Sequence, residues 1–213
     1  IVGYIASGNC QALAPVAEEL KQFTIFATCG TPRIFEEAAR KYVFRTMGHA
    51  TADNVAAAMY VKEKFPNMKG YTGINQNYAW GQDSWRDFDL TLQQIMPNTK
   101  ASDKTQFPKI FAGQYGSEIS AMSLDKADLI HTSFWGGDLE AFIFQGNARG
   151  LFKKKIGVFT VGGTAAYRLG KKLPNGLVLG ARGPYGILVK DRSSALNQWF
   201  INTYKDIYGI YPS

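Results

Sequence analysis

Short apolar runs that alternate with longer amphipathic ones constrain this chain more than any single residue does. Strand-like runs fall at 1–5, 24–27, 69–74, 128–132, 156–160 and 177–180, and helix-like runs at 11–22, 52–64, 84–96, 117–126, 138–148 and 193–208. Most strand runs lead through small and polar residues into a helix, which is the βα rhythm of a parallel sheet covered on both faces. The expected fold class is therefore α/β. No internal repeat or low-complexity tract competes with that pattern.

With 213 residues, 46% of them hydrophobic and 14% aromatic, the chain can bury a substantial core as one large domain or two small ones. The excess of 24 basic over 17 acidic residues is scattered, and its longest run is Lys153-Lys154-Lys155 beside Gly150. Such a run solvates a helix end or loop, so neither a nucleic-acid partner nor a membrane surface is expected. No stretch approaches the roughly 20 apolar residues of a membrane span. The chain opens directly on a strand-like run and closes on Tyr211-Pro212-Ser213 just after a helix, so the expectation is a piece of a longer protein. The lack of a visible leader then carries no information about compartment. Cys10 and Cys29 are too few for a disulfide scaffold and have no metal-ligand spacing. They follow neighbouring strands, which allows a disulfide between them, although a partner elsewhere in a longer chain would serve as well.

In parallel sheets, ligands collect where strands end and helices begin. Five such turns can be read: Ala6-Ser7-Gly8-Asn9, Ala27-Thr28-Cys29-Gly30-Thr31-Pro32, the stretch NYAWGQDS at 77–84, Thr132-Ser133-Phe134-Trp135-Gly136-Gly137-Asp138, and Thr160-Val161-Gly162-Gly163-Thr164. They combine hydroxyls or glycines with almost no full charge, and two add tryptophan. Phosphate-loop, dinucleotide, zinc-protease and serine-nucleophile motifs are all missing, so no cofactor is expected. His49 lies in a linker-like stretch and His131 inside a strand, while Asp138 and Glu140 read as the acidic start of a helix. Nothing assembles a nucleophile, a base and an orienting group, which argues against an enzyme.

Taken in order, VGYIASGN, IFATCGTP, FRTMGHATADN, NYAWGQDS, QFPKIF, ADLIHTSFWGGD and LPNGLVLGARGPY resemble successive blocks of the type I periplasmic solute-binding proteins, the leucine/isoleucine/valine-binding-protein group of ABC transporters. The resemblance covers nearly the whole chain and implies a central fragment, short of parts at both ends. It implies two βα lobes joined by crossing segments, with ligand held between them and a membrane permease as partner. Residues 1–47 would belong to the N-terminal lobe and 50–180 to the C-terminal lobe, and 181–213 would form a crossing and a helix returning to the first lobe. Met47-Gly48-His49 and Ala181-Arg182-Gly183-Pro184 would be the crossings, with glycine and proline suited to hinges.

The resemblance also implies site residues. Ser7 and Thr31 match hydroxyl donors to a ligand carboxylate, and the Cys29 backbone N–H matches a third donor; helix capping is the alternative for the two hydroxyls. Trp80 and Trp135 match aromatics of the second lobe, with Tyr78 as either wall or packing, and a core-edge role is the alternative for Trp80. Amino-acid binders of the family carry an acid at the turn after the fifth strand, where this chain has Gly162-Gly163. A buried ammonium without a partner costs on the order of 3 kcal/mol or more, so the expected ligand is a carboxylate lacking an α-amino group, with the glycines leaving room for a ring. Asp138 could replace the acid, which keeps amino acids as the second choice. A ligand-sensing regulatory domain on the same fold is a further alternative.

Overall fold

The computed structural model describes residues 1–182, 194–210 and 212. The chain divides into two units, Ile1–Gly180 and Ala181–Ser213. Within the first unit, β1 (Val2–Gly3), β2 (Thr24–Phe26) and β3 (Val43–Arg45) pair in that order, with α1 (Ser7–Glu19) and α2 (Arg33–Glu36) as their connections. A second sheet is built from β4 (Gly70–Gly73), β5 (Lys100–Ala101), β6 (Leu129–Thr132), β7 (Ile156–Phe159) and β8 (Val178–Leu179), in the order β5-β4-β6-β7-β8. It is covered by α3 (Ala50–Lys64), α4 (Ala79–Ile95), α5 (Gly116–Leu124), α6 (Gly136–Ala148) and α7 (Gly163–Leu169). All pairings in both sheets are parallel, as the βα rhythm implies. The second unit carries α8 (Ala195–Tyr208), which Ser194 caps by accepting from the Asn197 N–H. Of the expected crossing at 181–184, Gly183 and Pro184 lie outside the described residues, as does residue 193 at the start of the expected last helix.

Burial on both faces explains the strand compositions. All four residues of β6, Leu-Ile-His-Thr, are buried, and apolar clusters lie on either side of the second sheet. Tyr71, Phe88 and Leu92 belong to one cluster, and Phe134, Phe142 and Phe159 to the other. Each such side chain contributes about 1.5–3 kcal/mol by leaving water. The smaller core of the first sheet, around Phe26, Ile34 and Val43, contains a Cys10–Cys29 disulfide with a Cα–Cα separation of 6.3 Å.

Helices α1, α3, α4, α5 and α6 all begin earlier than the apolar periodicity indicates, by one to five residues. α1 starts at Ser7, α4 at Ala79 and α6 at Gly136, so the glycine- and hydroxyl-rich stretches that read as turns are largely first helical turns. Trp80 accordingly sits inside α4. Gly81 has a steric reason to be glycine: a Cβ there would lie 2.0 Å from the Gln76 carbonyl oxygen, over which α4 is folded. β3, β5, α2 and α7 were not visible in the pattern, being two to seven residues long. Lys155 of the lysine run donates to the backbone carbonyls of Asp125 and Ala127.

A buried file of uncharged polar groups crosses the molecule. The Ala50 N–H donates to the Gly30 carbonyl at 2.8 Å, and the Asn54 amide donates to the Ala50 carbonyl at 2.7 Å. Asn54 Oδ1 lies 2.7 Å from His131 Nε2, and the Asn75 amide nitrogen lies 3.4 Å from His131 Nδ1. With Asn75 donating, the imidazole carries its proton on Nε2. Asn75 Oδ1 then accepts from the Ser133 N–H and hydroxyl. His131 is also stacked on Phe88, with ring centroids 4.2 Å apart. Burial pushes its imidazole down to about 3, so the native state holds it neutral. The unfolded chain binds a proton near the ordinary value and the folded one does not, so this contribution is complete above pH ~6.5 and is lost as pH falls toward 3. Urea denaturation between pH 7.5 and 5 should show stability falling by up to about 1.4 kcal/mol per pH unit below pH 6, and His131→Gln should flatten that slope.

Candidate functional site

The turns that follow parallel strands present unbonded helix-start N–H groups, and in both sheets they hold the residues singled out from the sequence. In the first sheet, Ser7 opens α1 and is buried. Its Oγ accepts the Thr31 N–H at 3.1 Å, while its own proton has no acceptor among the described residues. The Cys29 N–H, in a fully buried residue, likewise makes no hydrogen bond among the described residues. Thr31 differs. Its hydroxyl donates to Asp83 Oδ2 at 2.6 Å and accepts the Arg33 N–H at 3.3 Å, so it has no proton left to give.

Asp83 lies on α4 and is fully buried. Besides Thr31 it receives Arg33, with Nε at 2.8 Å and the terminal nitrogen at 2.7 Å, and Arg86 at 3.4 Å. This carboxylate therefore joins the turn after β2 to the helix after β4. The sequence placed Asp83 in the NYAWGQDS turn just ahead of the helix-like run and assigned it no role, because its partners lie in a distant turn. Nearby, Arg45 closes the same turn from β3 by donating to the Thr31 carbonyl at 2.7 Å.

In the second sheet, Trp80 is 4% exposed, and its indole N–H donates to the Ser133 carbonyl at 2.9 Å. That geometry corresponds to the core-edge alternative. Tyr78 and Trp135 are only partly buried and bond to each other, indole N–H to phenol oxygen at 2.8 Å. Phe111, the last residue of the QFPKIF block but given no site role from the sequence, makes a T-shaped contact with Trp135, ring centroids 5.7 Å apart. Asp138 is buried and accepts from the Gln76 amide at 2.6 Å and the Phe111 N–H at 2.8 Å. Glu140, its neighbour in sequence, pairs with Arg168 instead. A Cβ at Gly162 would lie 2.8 Å from Leu179 Cδ2 and 3.1 Å from Phe159 Cβ, so a side chain there would require the Leu179 side chain to shift. Gly163 donates its N–H to the Gly180 carbonyl at 3.0 Å. Among the described residues, no group of three or more His, Cys, Asp or Glu could hold a metal ion, and no helix is long and apolar enough to cross a membrane.

Two parallel sheets, with the turn after the second strand of one bonded to Asp83 on a helix of the other, end in donor-rich or aromatic turns of the kind that hold ligands in α/β proteins. The chain belongs to the periplasmic binding protein family, whose profile matches residues 1–213. No curated protein sequence matches it. Among solved structures it is similar to a solute-binding protein of an ABC transporter from Rhodopseudomonas palustris BisB5 in complex with 3,4-dihydroxybenzoic acid, at 20% identity and TM-score 0.78, covering 100% of this chain and 56% of that one. A second R. palustris solute-binding protein, in complex with benzoate, gives 20% identity and TM-score 0.79 over 99% and 56% of the two chains. A leucine-binding protein from Thermotoga maritima MSB8 gives 19% identity and TM-score 0.76 over 100% and 58%. The chain thus spans a little over half the length of these relatives.

Removing Asp83 should loosen the junction directly. Asp83→Ala should cost about 2–3 kcal/mol, the partly exposed arginines regaining water, and lower the melting temperature by roughly 5–10 °C. Asp83→Asn should retain part of that loss-free state, which thermal denaturation of both variants will measure.

Proposed function

We propose that the chain is an extracytoplasmic, periplasmic solute-binding protein of an ABC transporter, which captures a small organic acid with an aromatic or otherwise hydrophobic body and passes it to a membrane permease. The observation that carries this reading is the pair of buried donors, the Ser7 hydroxyl and the Cys29 N–H, left without acceptors among the described residues. A ligand carboxylate satisfies both by charge-assisted hydrogen bonds, and the start of α1 adds a favourable field. Thr31 serves by holding Ser7 through its N–H, not by donating its hydroxyl.

In this reading Tyr78 and Trp135 offer ring faces, and Trp80 supports the turn from behind. The absence of an acid at Gly162-Gly163 leaves no partner for an ammonium there. The relatives in complex with benzoate and 3,4-dihydroxybenzoic acid support a ligand of this kind. Residues 1–47 would form part of one lobe and 50–180 most of the other, with Met47-Gly48-His49 as a crossing and 181–213 leading back. One observation favours a second reading: Asp138 is a buried carboxylate with no ion pair among the described residues, as a partner for an amino-acid ammonium would be.

Titration calorimetry with benzoate and with leucine on the full-length protein separates the two. We expect benzoate to bind and leucine to compete poorly. Ser7→Ala should weaken benzoate binding by about 1.5–3 kcal/mol through one lost bond to a charged group, and Trp135→Ala by about 1–3 kcal/mol through lost ring contact. Preferential binding of leucine would overturn the ligand assignment, and unchanged affinity in Ser7→Ala would leave that residue only as the acceptor of the Thr31 N–H.

A further inference from the structure

We infer that Phe111 is a ligand-facing specificity residue, a third aromatic wall beside Tyr78 and Trp135, and that Asp138 is its positioning residue rather than the partner of a ligand ammonium. The inference rests on the function proposed above. Phe111 is a bulky apolar residue that is 69% exposed, and its φ of +61° is a left-handed conformation that non-glycine residues of its size rarely adopt. Exposure and strain together need a reason, because an ordinary loop would place glycine or asparagine there.

The surrounding loop is anchored on both sides. Before Phe111, the Asn75 N–H donates to the Gln106 carbonyl at 3.0 Å and the Asn77 N–H to the Pro108 carbonyl at 2.8 Å, so the strand edge of β4 continues into the loop. After it, Gln145 of α6 donates to the Gly113 carbonyl and accepts the Tyr115 N–H, both at 2.9 Å. Between those anchors, the Phe111 N–H is held by Asp138 Oδ2, the same oxygen that receives the Gln76 amide. Two neutral donors converging on one carboxylate oxygen make a clamp. That clamp fixes the backbone at the strained residue, whose ring makes the T-shaped contact with Trp135. A charge is not required for this task, since an asparagine carbonyl can accept the same two bonds.

The test is benzoate titration calorimetry on the full-length protein, with thermal melts of each variant. Phe111→Ala and Phe111→Gly should each weaken benzoate binding by tenfold or more while leaving the melting temperature unchanged or raised, the glycine variant removing the backbone strain outright. Phe111→Tyr should bind within threefold of wild type. Asp138→Asn should also stay within threefold, whereas Asp138→Ala should lose affinity as Phe111→Ala does, and combining the two should add no further loss. Wild-type affinity in Phe111→Ala and Phe111→Gly would overturn the role of Phe111 and leave the proposed function standing. Tenfold weaker binding in Asp138→Asn would overturn the clamp. Failure of the wild type to bind benzoate would overturn the ligand assignment itself, and this inference with it.

Discussion

The organisation of the molecule depends on one buried carboxylate. Asp83 is withdrawn from water on α4, and it is tolerable there because Thr31 and Arg33, from the turn after β2, supply donors at 2.6–2.8 Å. The helix that follows the first strand of the second sheet is thereby fastened to the turn that holds the first sheet's donors. The same contact uses up the Thr31 hydroxyl, which separates Thr31 from Ser7 and Cys29 and assigns the three residues different work. Without Asp83, the Thr31 hydroxyl would keep a proton to donate, as the Ser7 hydroxyl does.

The two sheets contribute different chemistry. The first offers uncharged donors within a short stretch of sequence, braced by the Cys10–Cys29 disulfide and by the bond between Thr31 and Ser7. The second offers rings whose positions are set by partners far away in the chain: Tyr78 by Trp135, Trp80 by the Ser133 carbonyl, Phe111 by Asp138. In the proposed function the first set reads the acid and the second reads the body attached to it, so the two can vary independently.

The βα rhythm and its parallel pairing were legible in the sequence, because apolar periodicity and turn chemistry are local signals, whereas the division into two sheets came from the family resemblance. Helix starts were less so. Ala6, His49, Tyr78, Tyr115 and Trp135 precede their helices without any side-chain cap, so the usual serine, threonine or aspartate marker was missing at each. β3 and β5 are too short to show an alternation. Asp83 and Phe111 lie within the NYAWGQDS and QFPKIF stretches, yet their roles could not be read, since their significance lies in partners 27 to 52 residues away. Trp80 illustrates the middle case. Its motif was conspicuous, yet only the bond to the Ser133 carbonyl distinguishes a supporting tryptophan from an exposed one.

The neutral file through Asn54, His131, Asn75 and Ser133 runs beside an ionic junction, and the two differ in how they meet dissolved ions. Every group in the file is uncharged and buried, so ionic strength has nothing in it to screen. The junction at Asp83 is half open: the side chains of Arg33 and Arg86 are 31% and 43% exposed, and counterions reach them. A rise in salt therefore relaxes one attachment between the sheets and spares the other. The molecule is held by a salt-sensitive fastening at α4 and a salt-blind one at α3, and the ionic strength of the surrounding solution sets how much each carries.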